Sequence, residues 1–342
     1  MKAVIMKQHG PEDVLELADM PDPEIAENEV LVRVKACALN HLDLWVRGGL
    51  PGIEFPMPHI LGSDISGVVA RVGKLVRNTK EGDEVLLSPG LSCMHCEECL
   101  KGRDNLCAQY SIIGYRTHGG YAEYIKVPSV NVLPKPANIS FEEAASIPLV
   151  YITAWHMLID RVNLRAGETV LVHAAGSGVG SAAIQIGRLL GARVITTASS
   201  AEKLEKAREL GADELINYTE TDFLEEVKRL TGKRGVDVVF EHTGEATWAK
   251  SIRSLVRGGR LVTCGATSGP KGDLDIRLLF SKQISLHGSY MGSKHELIEV
   301  MKFVKEGKLK GVVDRVLPLE QAADAHRALK ERAQFGKVVL TP

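Results

Sequence analysis

Four cysteines follow one another at short intervals near the end of the first third of the chain. Cys93, Cys96, Cys99 and Cys107 form the pattern C-x2-C-x2-C-x7-C, which holds four of the six cysteines. Four thiolates can close a tetrahedron around one zinc ion and leave no position open for a reactant. The spacing therefore predicts one structural zinc site, with the intervening His95 as a bystander.

Disulfides and an iron–sulfur cluster are the alternatives for this cysteine string. Cytosolic thiols at such spacing are typical of metal ligands rather than of disulfides. The bacterial iron–sulfur pattern has a shorter last interval and a Pro after the last cysteine, whereas Ala108 follows Cys107 here. Zinc is therefore the predicted metal.

The bulk composition is that of a globular protein with more than one domain. The chain has 342 residues, a formal net charge of −1 and 44% hydrophobic residues. The length suggests two domains, and the absence of a basic tract gives no sign of a nucleic-acid or membrane partner. The first ten residues, MKAVIMKQHG, hold no apolar run of signal-peptide length, so a cytoplasmic location is expected.

The chain has two parts with different patterns of predicted secondary structure. Up to residue 132 or so, short strand-like runs alternate with Gly, Pro, Asn and Asp, which is typical of an all-β, barrel-like unit. Ser140 and Glu143 then form a capping box that predicts a helix continuing to Leu158. Strands and helices alternate after it, which indicates βαβ units and a parallel sheet.

A glycine-rich turn follows the first strand of the alternating half. The segment Ala175–Gly180 reads AGSGVG, so with Gly180 as the last fingerprint glycine the first two positions are Ala175 and Ser177. The strand–turn–helix context predicts that this backbone binds a pyrophosphate at a helix N-terminus. A tight turn without a ligand is the alternative. The predicted contacts are Gly176, Ser177, Gly178, Val179 and Gly180.

The end of the next strand indicates which nicotinamide cofactor is bound. NAD-binding chains usually carry Asp or Glu there, to bind the ribose 2′-hydroxyl. Here the strand ends in Ser199 and Ser200, and Lys203 follows. Hydroxyls and an ammonium suit a 2′-phosphate, so the sequence predicts NADPH, with NADH less favoured. The alternative for Lys203 is an exposed residue on a charged helix face.

The order of these parts resembles the medium-chain dehydrogenase/reductase superfamily. Its markers are KACALNHLDLWVRGG, LGSDISGVVARVG, the cysteine loop, GGYAEY, AAGSGVG and the closing FGKVVL. The resemblance implies an α/β fold with an active site in the cleft between two domains. One is a GroES-like β-barrel catalytic domain, residues 1–132 completed by 306–342, with its zinc lobe at about 90–110. The other is a Rossmann domain with a doubly wound parallel sheet, residues 133–305.

The resemblance also implies a homo-oligomer. The strand-like segment LHGSYM, residues 286–291, matches a strand that pairs across a dimer in the superfamily. A homodimer or homotetramer is therefore expected.

The catalytic zinc of the superfamily's alcohol dehydrogenases has no matching ligands here. The resemblance sets Asn40, Ser63 and Leu149 at the three ligand positions, and Leu42 at the position of the hydroxyl residue that relays the proton. Asn and Ser are poor zinc ligands and Leu cannot coordinate, so a catalytic zinc is not expected. An unusual second metal stays open as an alternative. Its candidate ligands are His41, His59 and Asp64.

Asn40 followed by Asp43 resembles instead the quinone oxidoreductase and enoyl reductase branch, whose members often lack the zinc lobe. The resemblance implies that Asn40 lies beside the nicotinamide and that Asp43 fixes the loop, which makes these two the predicted catalytic residues. Trp45 either lines the substrate pocket or is a core aromatic residue. The other cofactor contacts that the resemblance implies are Thr153, Ser199, Ser200, Lys203, Tyr218, Thr243, Gly265, Ala266 and Lys337.

Together these features predict an NADPH-dependent oxidoreductase with one structural zinc and no catalytic zinc. The hydride acceptor is expected to be a small molecule, either a quinone or an α,β-unsaturated carbonyl compound or thioester. Asn40 and water are the candidate hydrogen-bond donors to its developing negative charge. An NAD(P)-dependent, zinc-containing alcohol dehydrogenase is the first alternative, and a non-catalytic NADPH-binding protein is the second.

Overall fold

The computed structural model describes the whole chain, Met1–Pro342, as two compact units. Unit 1 comprises Met1–Leu149 and Ser293–Pro342, and unit 2 comprises Val150–Gly292. The domain limits given above, after residues 132 and 305, stay a prediction. No helix has both the length and the apolar character that a membrane span needs.

Eighteen strands and eleven α-helices make up the two units. The strands are β1 (Lys2–Met6), β2 (Glu16–Asp19), β3 (Glu29–Ala38), β4 (His59–Ile60), β5 (Asp64–Val72), β6 (Glu84–Leu87), β7 (Gly90–Leu91), β8 (Ser111–Ile112), β9 (Tyr124–Pro128), β10 (Val132–Pro134), β11 (Thr169–Val172), β12 (Arg193–Ala198), β13 (Glu214–Asn217), β14 (Val236–Glu241), β15 (Leu255–Thr263), β16 (Ser285–Gly288), β17 (Val313–Pro318) and β18 (Lys337–Thr341). The helices are α1 (His41–Gly48), α2 (Glu97–Leu100), α3 (Phe141–Ala145), α4 (Pro148–Trp155), α5 (Gly178–Leu189), α6 (Ala201–Glu209), α7 (Phe223–Leu230), α8 (Glu245–Ser254), α9 (Ile276–Lys282), α10 (Lys294–Lys305) and α11 (Ala322–Lys330).

A seven-stranded sheet forms the centre of unit 1. Its strand order is β10-β6-β5-β3-β18-β17, and β9 also pairs with β3. Every second side chain along these strands is apolar and points into one buried cluster. In β3 these side chains include Val30, Val32 and Val34. The last strand of the chain thus returns to the first unit, where β18 lies antiparallel to β3.

The register of this sheet brings three distant polar residues together. In β3, Ala38 lies opposite Val339 of β18 and opposite Asp64 of β5. Because β3 and β18 are antiparallel, Asn40, two residues after Ala38, comes opposite Lys337, two residues before Val339. Strand pairing therefore assembles Asn40, Asp64 and Lys337 at one end of the sheet.

Unit 2 is a doubly wound parallel sheet. Its six strands run in the order β13-β12-β11-β14-β15-β16, and every neighbouring pair is parallel. The strand order reverses between β11 and β14, and such a switch point is where ligands bind in sheets of this kind. The predicted α/β class with a Rossmann sheet is confirmed.

The single helix predicted to run from the capping box to Leu158 is divided in the structure. The capping box is present, since the Ser140 hydroxyl accepts a hydrogen bond from the Glu143 N–H at 3.1 Å. The helix that it starts ends at Ala145, however, and α4 begins at Pro148, because Pro has no N–H and disfavours helical backbone before it.

A buried ion pair in unit 1 joins the cysteine string to α10. The Lys294 ammonium lies 3.0 Å from one oxygen of Asp104 and donates to the Gly90 carbonyl at 2.6 Å. The other Asp104 oxygen accepts from the Lys294 backbone N–H at 2.9 Å. Both side chains are buried, so removing either one strands an opposite charge away from water.

We predict that Lys294→Met lowers the free energy of unfolding of unit 1 by about 3–5 kcal/mol, because the Asp104 carboxylate then lies buried without a cation. Urea titration followed by circular dichroism measures the change. Lys302→Met is the matched control, since Lys302 lies on the same helix in an exposed pair with Glu299. Equal unfolding midpoints for the two variants would contradict the prediction.

Candidate functional site

The four predicted zinc ligands converge in unit 1. The Sγ atoms of Cys93, Cys96, Cys99 and Cys107 all lie within 4.8 Å of one another. The Cys93 sulfur lies 3.9 Å from that of Cys99 and 3.6 Å from that of Cys107. Sulfurs bound to one zinc at about 2.3 Å lie about 3.8 Å apart in a tetrahedron, so the cluster fits a structural zinc. His95 is exposed and donates to the Cys93 carbonyl, which fits its predicted role as a bystander.

Asn40, Asp64 and Lys337 form a second polar cluster, which is buried. The Lys337 ammonium donates to Asn40 Oδ1 at 2.6 Å and to Asp64 Oδ2 at 2.9 Å. Asn40 Nδ2 donates to the same Asp64 oxygen at 3.0 Å. The other Asp64 oxygen accepts from the backbone N–H of Leu149 at 2.7 Å. Both oxygens of the carboxylate are therefore already used by donors of the chain.

Of the three positions that the resemblance assigned to a catalytic zinc, Asn40 contacts the Lys337 ammonium directly. Asn40 and Leu149 each hydrogen bond to Asp64, and Ser63 precedes it in the chain. Ser63 is fully buried and its hydroxyl has no hydrogen-bond partner in the chain. The donor set is an amide, a hydroxyl and a carboxylate already paired with Lys337, which suits zinc poorly.

Asp43 is held by a chain of buried donors below this cluster. Its carboxylate accepts from the backbone N–H groups of Asn40 at 2.7 Å and Gly62 at 3.1 Å, and from the Tyr121 hydroxyl at 3.3 Å. Burial raises the pKa of Asp43 to about 6. These bonds hold the backbone at the start of α1, and the role of Asp43 in fixing the loop stays a prediction.

The donor chain continues from Tyr121 through two further buried side chains of unit 1. The imidazole of His326 lies 3.2 Å from the Tyr121 hydroxyl and 2.9 Å from the Arg47 guanidinium. Burial lowers the pKa of His326 to about 3, so its ring is neutral, and Arg47 must donate to its Nδ1. The Nε2 proton then points to Tyr121, which donates to Asp43. Sequence reasoning missed this chain, because its members lie far apart along the sequence.

The remaining candidates of unit 1 occupy different surroundings. Trp45 is 41% exposed on α1, so it is not a core aromatic residue. His59 is fully buried and its Nε2 donates to the Gly114 carbonyl at 3.1 Å. The ligand atoms of His41, His59 and Asp64 do not converge as those of the cysteines do, and no other group of three such residues does so.

The predicted glycine turn lies at the switch point of unit 2. Ser177 caps α5, since its hydroxyl accepts from the Gly180 N–H at 2.9 Å and donates to the Ala174 carbonyl at 2.9 Å. A Cβ on Gly180 would lie 2.4 Å from that carbonyl, so only glycine fits there. Ala174, with a φ of 50°, makes the left-handed turn. The turn thus starts one residue before Ala175, because Ala174 here adopts a conformation that usually requires glycine.

Four candidates for a ribose phosphate lie at the ends of neighbouring strands of unit 2. Ser199 and Ser200 follow β12, and the Ser200 hydroxyl caps α6 by accepting from the Lys203 N–H at 3.3 Å. The backbone N–H of Tyr218, after β13, donates to the Ala198 carbonyl at 3.1 Å, which brings Tyr218 beside Ser199. No carboxylate follows β12 before α6 begins. Ser199, Ser200 and Tyr218 thus lie at the carboxyl ends of β12 and β13, and Lys203 lies in the first turn of the helix that follows β12.

A buried carboxylate organises the loop after β14, which holds Thr243. Glu241 is fully buried and one of its oxygens accepts from the backbone N–H groups of His242, Thr243 and Gly244 at 2.9, 2.6 and 3.2 Å. Gly265 approaches the same loop closely, since a Cβ on it would lie 3.0 Å from the His242 carbonyl. Sequence reasoning named Thr243 in this loop but missed Glu241, which lies two residues before it.

A second set of bonds links this carboxylate to the glycine turn. The other Glu241 oxygen accepts from the Ser251 hydroxyl at 2.8 Å, and His173 lies 2.9 Å from that hydroxyl. The Thr197 hydroxyl lies 3.4 Å from His173 and accepts from the Ala174 N–H at 3.1 Å. These bonds join the loop after β14 to the glycine turn through buried side chains of unit 2.

Comparisons with known proteins support this assignment of parts. Residues 26–137 match the family described as alcohol dehydrogenase GroES-like domain, and residues 178–306 match the zinc-binding dehydrogenase family. The chain is 33% identical to an alcohol dehydrogenase of Geobacillus stearothermophilus, with 99% of each chain covered. The chain belongs to the medium-chain dehydrogenase/reductase superfamily. The predicted GroES-like domain beside a Rossmann sheet is confirmed.

Two further relatives of this superfamily member carry different names. It is 30% identical to a quinone oxidoreductase of Sus scrofa, covering 98% of this chain and 96% of the relative. It is 54% identical to a protein whose crystal structure is described as an NAD-dependent alcohol dehydrogenase, with a TM-score of 0.97 and full coverage of both chains. These names support the alcohol dehydrogenase alternative better than the predicted quinone or enoyl reductase.

The superfamily makes the chain an NAD(P)-dependent oxidoreductase that acts on small molecules. The cysteine cluster fits the structural zinc. The preference for NADPH, the individual site residues, the homo-oligomer and the cytoplasmic location stay predictions. β16, the strand expected to pair across a dimer, lies at the edge of its sheet, and Tyr290 beyond it is 58% exposed.

We predict that Cys107→Ser removes the structural zinc, because only three thiolates then remain for a site that needs four. Elemental mass spectrometry on protein washed with a chelator is expected to find about one zinc per chain in the wild type and nearly none in the variant. Cys264→Ser is the control, since Cys264 lies in unit 2. A variant that keeps its zinc would contradict the assignment.

Proposed function

We propose that the chain is an NADPH-dependent reductase that delivers hydride to a quinone or an α,β-unsaturated carbonyl compound or thioester. The observation that carries this proposal is the donor set around Lys337. Asp64 is the strongest metal ligand in that set, and the Lys337 ammonium already lies 2.9 Å from it. A hydride acceptor that needs no metal ion suits such a site.

Reduction of a conjugated acceptor needs only hydrogen-bond donors from the protein, whereas oxidation of a simple alcohol also needs help in removing a proton. When hydride reaches an enone or quinone, the negative charge moves onto an oxygen, where hydrogen-bond donors stabilise it. An unactivated alcohol must instead lose its hydroxyl proton, and a bound zinc makes that step easier by lowering the pKa of the oxygen ligand. The polar groups beside Asn40 supply donors and a cation, which fits the first task better than the second.

The chain's contribution to this reaction is binding and orientation. A bound nicotinamide cofactor supplies the hydride. The N–H groups at the start of α5, together with the loop that Glu241 orders, suit its pyrophosphate. Asp43 acts indirectly, by fixing the backbone of Asn40 through a 2.7 Å hydrogen bond. Thr153, Gly265 and Ala266 stay proposed contacts of the cofactor, and Trp45 stays a proposed wall of the substrate pocket.

The proposed preference for NADPH rests on the edge of the sheet at β12. Ser199, Ser200, Lys203 and Tyr218 offer hydroxyls and one ammonium there. A 2′-phosphate carries negative charge and accepts charge-assisted hydrogen bonds from such groups. An acidic side chain, which would repel it, is missing at the end of the strand.

We predict that Lys203→Ala raises the KM for NADPH about 10- to 100-fold, as expected for a lost charge-assisted hydrogen bond to phosphate, and changes the KM for NADH less than about threefold. Steady-state kinetics with both cofactors measure the effect. Lys206→Ala is the matched control, because Lys206 lies on the same helix and pairs with Glu202 at 2.7 Å. Equal effects of Lys203→Ala on the KM values for both cofactors would contradict the proposal that Lys203 binds the 2′-phosphate.

An alcohol dehydrogenase is the second candidate function. The observation in its favour is the 54% identity to a protein described as an NAD-dependent alcohol dehydrogenase. By name, the relatives favour this candidate over the reductase, while the chemistry of the donor set favours the reductase. The two differ in the substrate that is turned over, so one screen separates them.

We predict that chelator-washed protein with its structural zinc retained reduces quinones, enones or enoyl thioesters with NADPH, because none of these acceptors needs a second metal. The screen follows cofactor absorbance for these acceptors and for primary and secondary alcohols with NAD+ and NADP+. Turnover of alcohols alone would make the second candidate correct. Tight NADPH binding without any turnover would instead support the non-catalytic alternative.

A further inference from the structure

We propose that Ser268 is a positioning residue for the nicotinamide cofactor: it joins the loop after β15 to the loop after β14 and so holds the proposed cofactor contacts of both loops in one arrangement. These contacts are Thr243 in the loop after β14 and Gly265 and Ala266 in the loop after β15. Ser268 acts through them and not by touching the cofactor. This inference rests on the contacts given under the proposed function, and not on the identity of the hydride acceptor.

The first argument is the way in which α8 begins. The first N–H groups of a helix have no acceptor within the helix, and the side chain of the N-cap residue usually supplies one. The N-cap of α8 is Gly244, which has no side chain. The Ser268 hydroxyl takes its place by accepting from the Ala246 N–H at 3.0 Å. The Gly269 carbonyl accepts from the Glu245 N–H at 3.2 Å, so the loop after β15 caps a helix that begins far earlier in the chain.

The second argument is that the backbone of Thr243 is held from both sides. Its N–H donates to the Glu241 carboxylate at 2.6 Å. Its carbonyl accepts from the backbone N–H and from the hydroxyl of Ser268, each at 2.7 Å. The Thr267 hydroxyl lies 3.5 Å from the same carbonyl, which is too far for a strong hydrogen bond. The Ser268 hydroxyl therefore uses its one proton on the loop after β14 and its oxygen on the first turn of α8.

The third argument is the close approach of the two loops. A Cβ on Gly244 would lie 2.6 Å from the Gly269 carbonyl oxygen and 2.9 Å from the Cα atom of Ala266. The backbone that carries Ala266 thus lies directly against the start of α8. A change in the position of one loop therefore displaces the other, and the hydrogen bonds of Ser268 fix the position that they share.

The consequence for binding follows from the fraction of molecules in which both loops are in place. If the loops separate, only part of the protein can bind the cofactor, and the apparent dissociation constant rises by the inverse of that part. The loss of one N-cap hydroxyl changes such an equilibrium about 2- to 30-fold. The effect is the same for NADPH and NADH, because the residues proposed to bind the 2′-phosphate follow β12 and β13 and not β15.

The test compares the cofactor affinity of Ser268→Ala with that of the wild type. We expect the dissociation constants of NADPH and NADH, measured by cofactor fluorescence, to rise by the same factor, about 2- to 30-fold. Because Ser268 contacts no reacting group, kcat at saturating cofactor is expected to change less than about twofold. Ser268→Thr keeps the hydroxyl and is expected to bring both dissociation constants to within about threefold of the wild type.

A second readout uses the protein without cofactor. The N–H groups of Glu245 and Ala246 lose a fixed acceptor in Ser268→Ala, so hydrogen–deuterium exchange in residues 243–248 is expected to be faster. Ser254→Ala is the matched control, since Ser254 lies at the other end of α8 and its hydroxyl donates to the Lys250 carbonyl at 2.8 Å. This control is expected to leave both dissociation constants and the exchange of residues 243–248 unchanged.

Three results would overturn the proposal. Unchanged dissociation constants in a folded Ser268→Ala would mean that the loops keep their arrangement without the hydroxyl. Weaker binding of NADPH alone would place the effect at the 2′-phosphate. Equal losses in Ser268→Thr and Ser268→Ala would exclude the hydroxyl as the cause. A wild type that reduces no conjugated acceptor would end the proposed reductase function, yet the binding comparison would still decide the role of Ser268.

Discussion

The buried contact between Lys337 and Asp64 is the interaction on which the site of unit 1 depends. It joins the first residue of β18 to the first residue of β5, and Asn40 hydrogen bonds to both. Burial of the Asp64 carboxylate without a cation would be unfavourable. Because β18 carries Lys337, this burial favours the return of the C-terminal strand to the sheet of unit 1. The same pair fixes one positive group at that end of the sheet.

Each unit holds a buried carboxylate with hydrogen bonds from backbone N–H groups and hydroxyls. In unit 1, Asp43 accepts from two backbone N–H groups and one hydroxyl, and this fixes the start of α1. In unit 2, Glu241 accepts from three backbone N–H groups and two hydroxyls, and this fixes the loop after β14. With three donors on Asp43 and five on Glu241, both networks hold their backbone segments in place. Each carboxylate therefore fixes the backbone segment whose N–H groups it binds.

Local patterns in the sequence predicted the parts whose physics is local. The spacing of the four cysteines predicts their convergence, and the strand–turn–helix context of AGSGVG predicts the turn at the switch point. Pro148 indicates that the helix before it ends, but the long apolar run after Ser140 was interpreted as one continuous helix. The left-handed Ala174 had no signal, because the conformation is usual for glycine and not for alanine.

The Lys337 cluster could not be predicted in the same way, because it depends on strand register over 273 residues of sequence separation. The sequence named Asn40 and Lys337 separately, without their contact. The central claim is that Lys337 is the only cation of this site. X-ray diffraction at the zinc absorption edge, on crystals with NADPH, tests it most directly. The account predicts one anomalous peak per chain, among the four cysteine sulfurs. A second peak beside Asn40 and Asp64 would contradict it.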